Sequence, residues 1–209
     1  MLLGSVKYKK TNRSLTIPGR FLLLCFIGII TTPSCKQQET PKPMAYPRLT
    51  YPHTGYIKAD NLPYPISFDY PSFASLEIPT GIEKEKKWIN IRFNKFQSVL
   101  YTSYFQESEK TIHQRLLKNE SVLNEQIPPY SHIRKQEFDS KDGLIKGYLY
   151  EIDGNTACPL QFVLTDKHQQ MFRGALYFKS VPNRDSIAAI IEGLTTDVRF
   201  LMENFKFKK

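Results

Sequence analysis

The chain has 209 residues, 41% hydrophobic and 13% aromatic, with 29 basic against 20 acidic residues and three cysteines. Its formal charge of +9 falls to +4 once residues 1–34 are set aside, because five basic residues and no acidic ones lie there. So mild and scattered an excess argues against nucleic-acid binding, and the remaining length suits one domain with a real core.

The N-terminus carries Lys7, Lys9, Lys10, Arg13 and Arg20, followed by an almost unbroken apolar run from Phe21 to Ile30. That run is shorter than the roughly 20 residues a membrane-spanning helix needs. It leads into Thr31-Thr32-Pro33-Ser34-Cys35, a small residue directly before a cysteine. Residues 1–34 therefore read as a lipoprotein signal peptide, cut before Cys35, whose thiolate takes the lipid. Two or three acyl chains, at about 0.8 kcal/mol per buried methylene, hold a protein to a membrane stably. Cys25 leaves with the leader, so Cys158 is alone in the mature chain and no intramolecular disulfide can form. A lone free cysteine reads as a small buried apolar residue rather than a nucleophile.

Residues 35–65 read as a lipidated cysteine and an extended tether. Pro41, Pro43, Pro47, Pro52, Pro63 and Pro65 fix the backbone and remove donors. Tyr46, Tyr51 and Tyr56 are interleaved with them, which suggests packing on the domain or on a partner.

Residues 66–209 read as a single globular domain. Ile66 to Tyr70 is a predicted strand stopped by Pro71. Trp88 to Phe93 alternates, with Ile89, Ile91 and Phe93 on one face, and pairs as a hairpin with Ser98 to Phe105. A helix is predicted from about Glu109 to Gln126, capped by Ser108 and stopped by Pro128-Pro129. Strands follow at His132–Phe138, Leu144–Ile152, Pro159–Thr165 and Met171–Lys179, with turns at Asp142-Gly143 and Asp153-Gly154-Asn155. The last helix places Ile187, Ile191, Leu194, Val198, Leu201 and Phe205 on one face, capped by Asn183 or Asp185. Strands, helix, strands, helix makes an α+β fold, an antiparallel β-sheet packed with helices.

Catalytic signals are sparse. His53, His113, His132 and His168 show no metal-ligand spacing. No Gly-x-Ser-x-Gly elbow, phosphate loop or dinucleotide glycine pattern occurs. Asp153 and Asp166 sit beside turn residues, where aspartate usually bonds the local backbone. Arg173 interrupts an apolar strand and reads as solvent-facing, with pairing to a buried carboxylate as the alternative. No cofactor is implied.

Several segments together resemble one family. PKPMAYPRLTYP (41–52), ISFDYP (66–71), WINIRFNKF (88–96), the run from Tyr148 to Thr165 with LQFVLTD, and FRGALYFKSVPNRDSI (172–187) are similar to the gliding-motility lipoprotein GldD family of Bacteroidota. The layout from FDYP to the closing NFKF resembles Mog1/PsbP-type sandwiches, a likeness of fold that implies no function. The family resemblance implies a non-enzymatic envelope lipoprotein required for gliding. Such a protein is lipid-anchored at Cys35, faces the periplasm, and meets other gliding and type IX secretion proteins. It implies no catalytic residues. The segment Pro41 to Arg48, with Tyr46, Arg48 and Tyr51, is the expected partner contact. The competing expectations are a small-ligand-binding envelope lipoprotein, marked by a deep apolar pocket, and an envelope hydrolase, marked by perturbed titratable groups.

Overall fold

The computed structural model describes residues 50–52, 55–80, 87–125, 131–181 and 183–208. The leader, Cys35, Tyr46, Arg48, His53 and Pro128-Pro129 lie outside them. The described elements run β1 (Tyr56–Ala59), β2 (Ile66–Pro71), β3 (Ser75–Glu77), β4 (Trp88–Phe93) and β5 (Ser98–Gln106). Then come α1 (Glu109–Glu125), β6 (Ile133–Asp139), β7 (Lys146–Ile152), β8 (Leu160–Thr165), β9 (Gln170–Phe178), α2 (Arg184–Glu203) and β10 (Lys206–Phe207). Seven strands form one antiparallel sheet in the order β3-β4-β5-β9-β8-β7-β6. A smaller antiparallel sheet has the order β1-β2-β10. The fold is α+β, as the sequence predicts.

Period-2 alternation divides the large sheet into two apolar faces. On one face Ile89, Ile91, Phe93, Leu100, Phe162, Leu164, Phe172 and Leu176 meet Ile66 and Phe68 of β2. The same core takes in Ile190, Leu194, Val198, Leu201 and Met202 of α2. Phe172 is its hub, with ring centroids 5.8 Å from Phe68, 5.7 Å from Phe162 and 4.8 Å from Phe205. On the other face Ile112 and Leu123 of α1 close over Tyr150, Ile152, Val163 and Met171. β8 is covered on both sides, which is why LQFVLT reads as an apolar run rather than a clean alternation.

Local chemistry sets the connections. Ser108 Oγ accepts from Thr111 N at 3.4 Å at the start of α1. Asn183 Oδ1 accepts from Asp185 N and Ser186 N, so Asn183, not Asp185, caps α2. Gly143 and Gly154 take left-handed φ values of 70° and 91°, the conformations for which both predicted turns need glycine.

Four elements, β1, β3, β10 and α2, differ from the sequence expectation. The tether expected to reach Pro65 ends sooner: Tyr56–Ala59 pairs with Phe68–Pro71, and Ala59 and Tyr64 are buried. Four residues with three exposed carry too little alternation to announce a strand. The short β3 and β10 give no signal for the same reason. The last helix stops at Glu203, so Phe205 joins the core from beyond it. Its buried stripe runs through Ile190, with Ile191 only half-buried, and Ile187 leaves helical geometry (φ −118°, ψ 15°).

Gly174 tests the packing beside the hub. A Cβ there would lie 2.2 Å from Phe162 Cε1, and Phe162 is itself 1% exposed. Gly174→Ala should cost about 1–3 kcal/mol by urea unfolding, the usual cost of overpacking. A loss under about 0.5 kcal/mol, ordinary for a surface site, would show that the ring has room to move.

Candidate functional site

Three regions of the described domain combine exposure, polarity and defined geometry. The first is a clamp where the N-terminal strap meets α2. The Tyr51 hydroxyl donates to Asp197 Oδ2, and the Tyr56 hydroxyl donates to Asp197 Oδ1 at 2.8 Å. Asp197 is 6% exposed and lies on the core-facing side of α2. Tyr51 stacks on Phe96 at 5.3 Å and meets Phe73 edge-on at 5.6 Å, while Tyr56 stacks on Phe200 at 3.8 Å. The Tyr51 ring can lie this close because residue 193 is glycine: a Cβ there would be 2.3 Å from the ring. Burial first, then the bond to Asp197, raises both phenols above their ordinary value, Tyr56 to about 12. Tyr51, one of the tyrosines expected to pack on the domain or on a partner, fastens the strap to its own domain.

The second region is a groove of about 620 Å³ between α1 and β6–β8. Ile112, Leu116, Leu117, Phe138 and Tyr148 supply apolar walls. One end holds Lys135, paired with Glu120 and 3.8 Å above the Tyr148 ring. Tyr150 also donates to Glu120 at 3.1 Å. The other end holds Lys146, paired with Asp139 at 2.8 Å. The charges of this groove are thus largely matched in place.

The third region is the half of the large sheet that α1 leaves open. Seven strands at about 4.8 Å spacing make a face about 30 Å wide, and one helix about 10 Å across cannot cover it. The open part presents Arg92 of β4, Val99 and Tyr101 of β5, and Ala175 and Tyr177 of β9. Tyr101 and Tyr177 are 47% and 39% exposed and meet edge-to-face at 6.0 Å. Arg92 is held by Glu77 in a two-point contact.

The other sequence candidates are dispersed. Cys158 is buried, and burial pushes its thiol up to about 11, so it is not poised as a nucleophile. Arg173 is exposed and donates to Asn119 of α1 at 3.2 Å. Asp153 pairs with Arg184 at 2.7 Å, and Asp166 accepts three backbone N–H groups in its own turn. His113, His132 and His168 are exposed and far apart in the chain. Hydrogen bonds hold the carboxyls of Glu77, Glu107, Glu120 and Asp142 below their ordinary range: from Arg92, Arg115, Lys135 and Ser140 respectively. Such groups are fixed as anions rather than poised for proton transfer. Among the described residues no three His, Cys, Asp or Glu side chains gather as a metal site, and no helix is long and apolar enough to cross a membrane.

Asp197 and Gly193 are not among the residues that the sequence singles out. A signal exists for the first, since Asp197 interrupts the apolar stripe of α2 between Leu194 and Leu201. A carboxylate in that position implies a buried donor, though not which one.

Gly193→Ala should displace the Tyr51 ring. We expect a stability loss of about 1–3 kcal/mol, the cost of forced repacking, with faster proteolytic nicking between residues 50 and 60. An unchanged cleavage rate would show that the strap is held elsewhere. Unfolded tyrosine loses its proton near the ordinary 10.0, whereas folded Tyr56 keeps its proton to about 12. The contribution of the clamp is therefore complete below pH 10 and is lost as pH rises toward 12. Tyrosinate absorbance should show these phenols ionising late; titration of every tyrosine near 10 would refute the clamp.

Comparison with known proteins places the chain. No curated protein sequence matches it. Among solved structures it is similar to the solution structure of cyanobacterial PsbP (CyanoP) from Synechocystis sp. PCC 6803. The TM-score is 0.41 and the identity 10%, over 75% of this chain and 94% of that one. A family model described as gliding motility lipoprotein GldD matches residues 36–207. By that match, which spans nearly all of the domain and the segment before it, the chain belongs to the gliding motility lipoprotein GldD family.

Proposed function

We propose that this protein is a non-enzymatic, lipid-anchored part of the gliding and type IX secretion apparatus, working through protein contacts on the periplasmic side of a membrane. Family membership supports the coarser statement, a gliding-motility lipoprotein of the cell envelope. Cys35 is the residue proposed to carry the lipid.

The open half of the large sheet carries the contact reading. A sheet face ordinarily buries its side chains against another layer. Here two tyrosines at the middle of such a face stand in solvent, and tyrosine and arginine are the side chains that interfaces favour.

The groove under α1 favours a second reading, a small-ligand-binding lipoprotein. Its volume is in the range of ligand pockets, and its walls are apolar between two charged ends.

One comparison separates the readings. Tagged protein is crosslinked and recovered from membranes, wild type beside Cys35→Ala. We expect gliding or type IX components with the wild type and at least a tenfold loss of them in the variant. Recovery of no protein partner by a correctly lipidated chain would overturn the contact reading and favour the ligand.

A further inference from the structure

We propose that the open half of the large sheet is covered by an amphipathic helix of another protein, with acidic residues flanking its apolar stripe. This rests on the contact reading above and specifies the partner's chemistry.

Strand register defines the surface. Arg92, Val99 and Tyr177 lie in one row across β4, β5 and β9. Asn90, Tyr101, Ala175 and Gln161 form the next row, and Trp88, Ser103 and Arg173 the third. The middle is apolar and aromatic: Val99, Tyr101, Ala175 and Tyr177. The four strands β3, β4, β5 and β9, three gaps apart, offer a width of about 14 Å, enough for one helix of about 10–12 Å and too narrow for two. The nine residues of β5 run about 30 Å, close to the roughly 25 Å length of α1. α1 already covers the other half of this face in the same way. An added strand is the poorer match, because the free edge on this side belongs to β3, only three residues long.

Charge chooses among helices. Arg92 is compensated by Glu77. Arg173 has an amide partner, Asn119, and neither it nor Lys179 has a carboxylate within ion-pairing distance among the described residues. Two uncompensated cations therefore rim an apolar centre, and acidic flanks on the incoming helix answer them. The same charges disfavour a second copy of this face, since a two-fold interface would set Arg173 and Lys179 near their own duplicates.

The test places photoreactive benzoylphenylalanine at Tyr101, and separately at Tyr177, in the full lipidated protein in its native membranes. The crosslinked peptide is then sequenced. We expect one segment of another protein, with apolar residues at three- and four-residue spacing and Asp or Glu beside them. Arg173→Glu combined with Lys179→Glu should lower the adduct at least fivefold, the effect of about 1 kcal/mol on binding. Lys141→Glu, in the distant β6–β7 turn, should leave it unchanged. An adduct to an extended or basic segment of another protein would overturn this inference while sustaining the contact reading. An adduct to a second copy of this chain would also overturn it. No adduct from either position would overturn both.

Discussion

The strand β2 is the constraint on which the rest of the domain depends. Its two edges hold the first strand and the last, β1 on one side and β10 on the other. Its side chains Ile66 and Phe68 are fully buried, and Phe68 stacks on Phe172 of the large sheet. One six-residue segment thus joins both ends of the fold to its central core. The closing residues can reach β2 only because α2 ends at Glu203 and turns Phe205 inward against Phe172. The layers are assembled from remote pieces of chain, and each piece depends on β2 being in place.

The two faces of the large sheet follow different rules as a result. One face is closed by the small sheet and α2 together, with buried rings between the layers. The other has α1 alone, so its middle is buried and its flanks are open. On one flank the charges of the groove find partners within the chain, Lys135 with Glu120 and Lys146 with Asp139. On the other flank tyrosines and unmatched cations face outward. The distinction between a self-satisfied surface and one awaiting a layer comes from strand count and helix width, not from any motif.

Much of this architecture is legible in the sequence where periodicity is long. β4, β5, β7, β8, β9 and α1 begin and end within a residue or two of where alternation and helical spacing put them. The glycine turns and the Asn183 cap are likewise local chemistry. What is illegible is short or remote. β1, β3 and β10 have two to four residues each, and their pairing partners alone make them strands. The clamp joins residues 146 and 141 positions apart in the chain, a distance no sequence window spans. Tyr51 is correctly singled out as a tyrosine that packs, but its type and neighbours do not say on what. Nothing in the sequence sets Tyr101 and Tyr177 apart from the buried strand aromatics, because exposure depends on which helix passes over them.

The strap also has a mechanical consequence. Among the described residues, a pull from the N-terminal side would load Tyr51 ahead of every strand. The ring stack on Phe96 and the bond to Asp197 would bear the load before any strand does. Should they yield, Tyr56 would follow, and β1 could peel from β2 while the seven-stranded sheet stays whole. Freeing Tyr51 to Ala59 would add about 30 Å of extended chain at roughly 3.3–3.6 Å per residue. The domain would then lengthen under tension, releasing chain before its core is loaded, and shorten again when the tension ends.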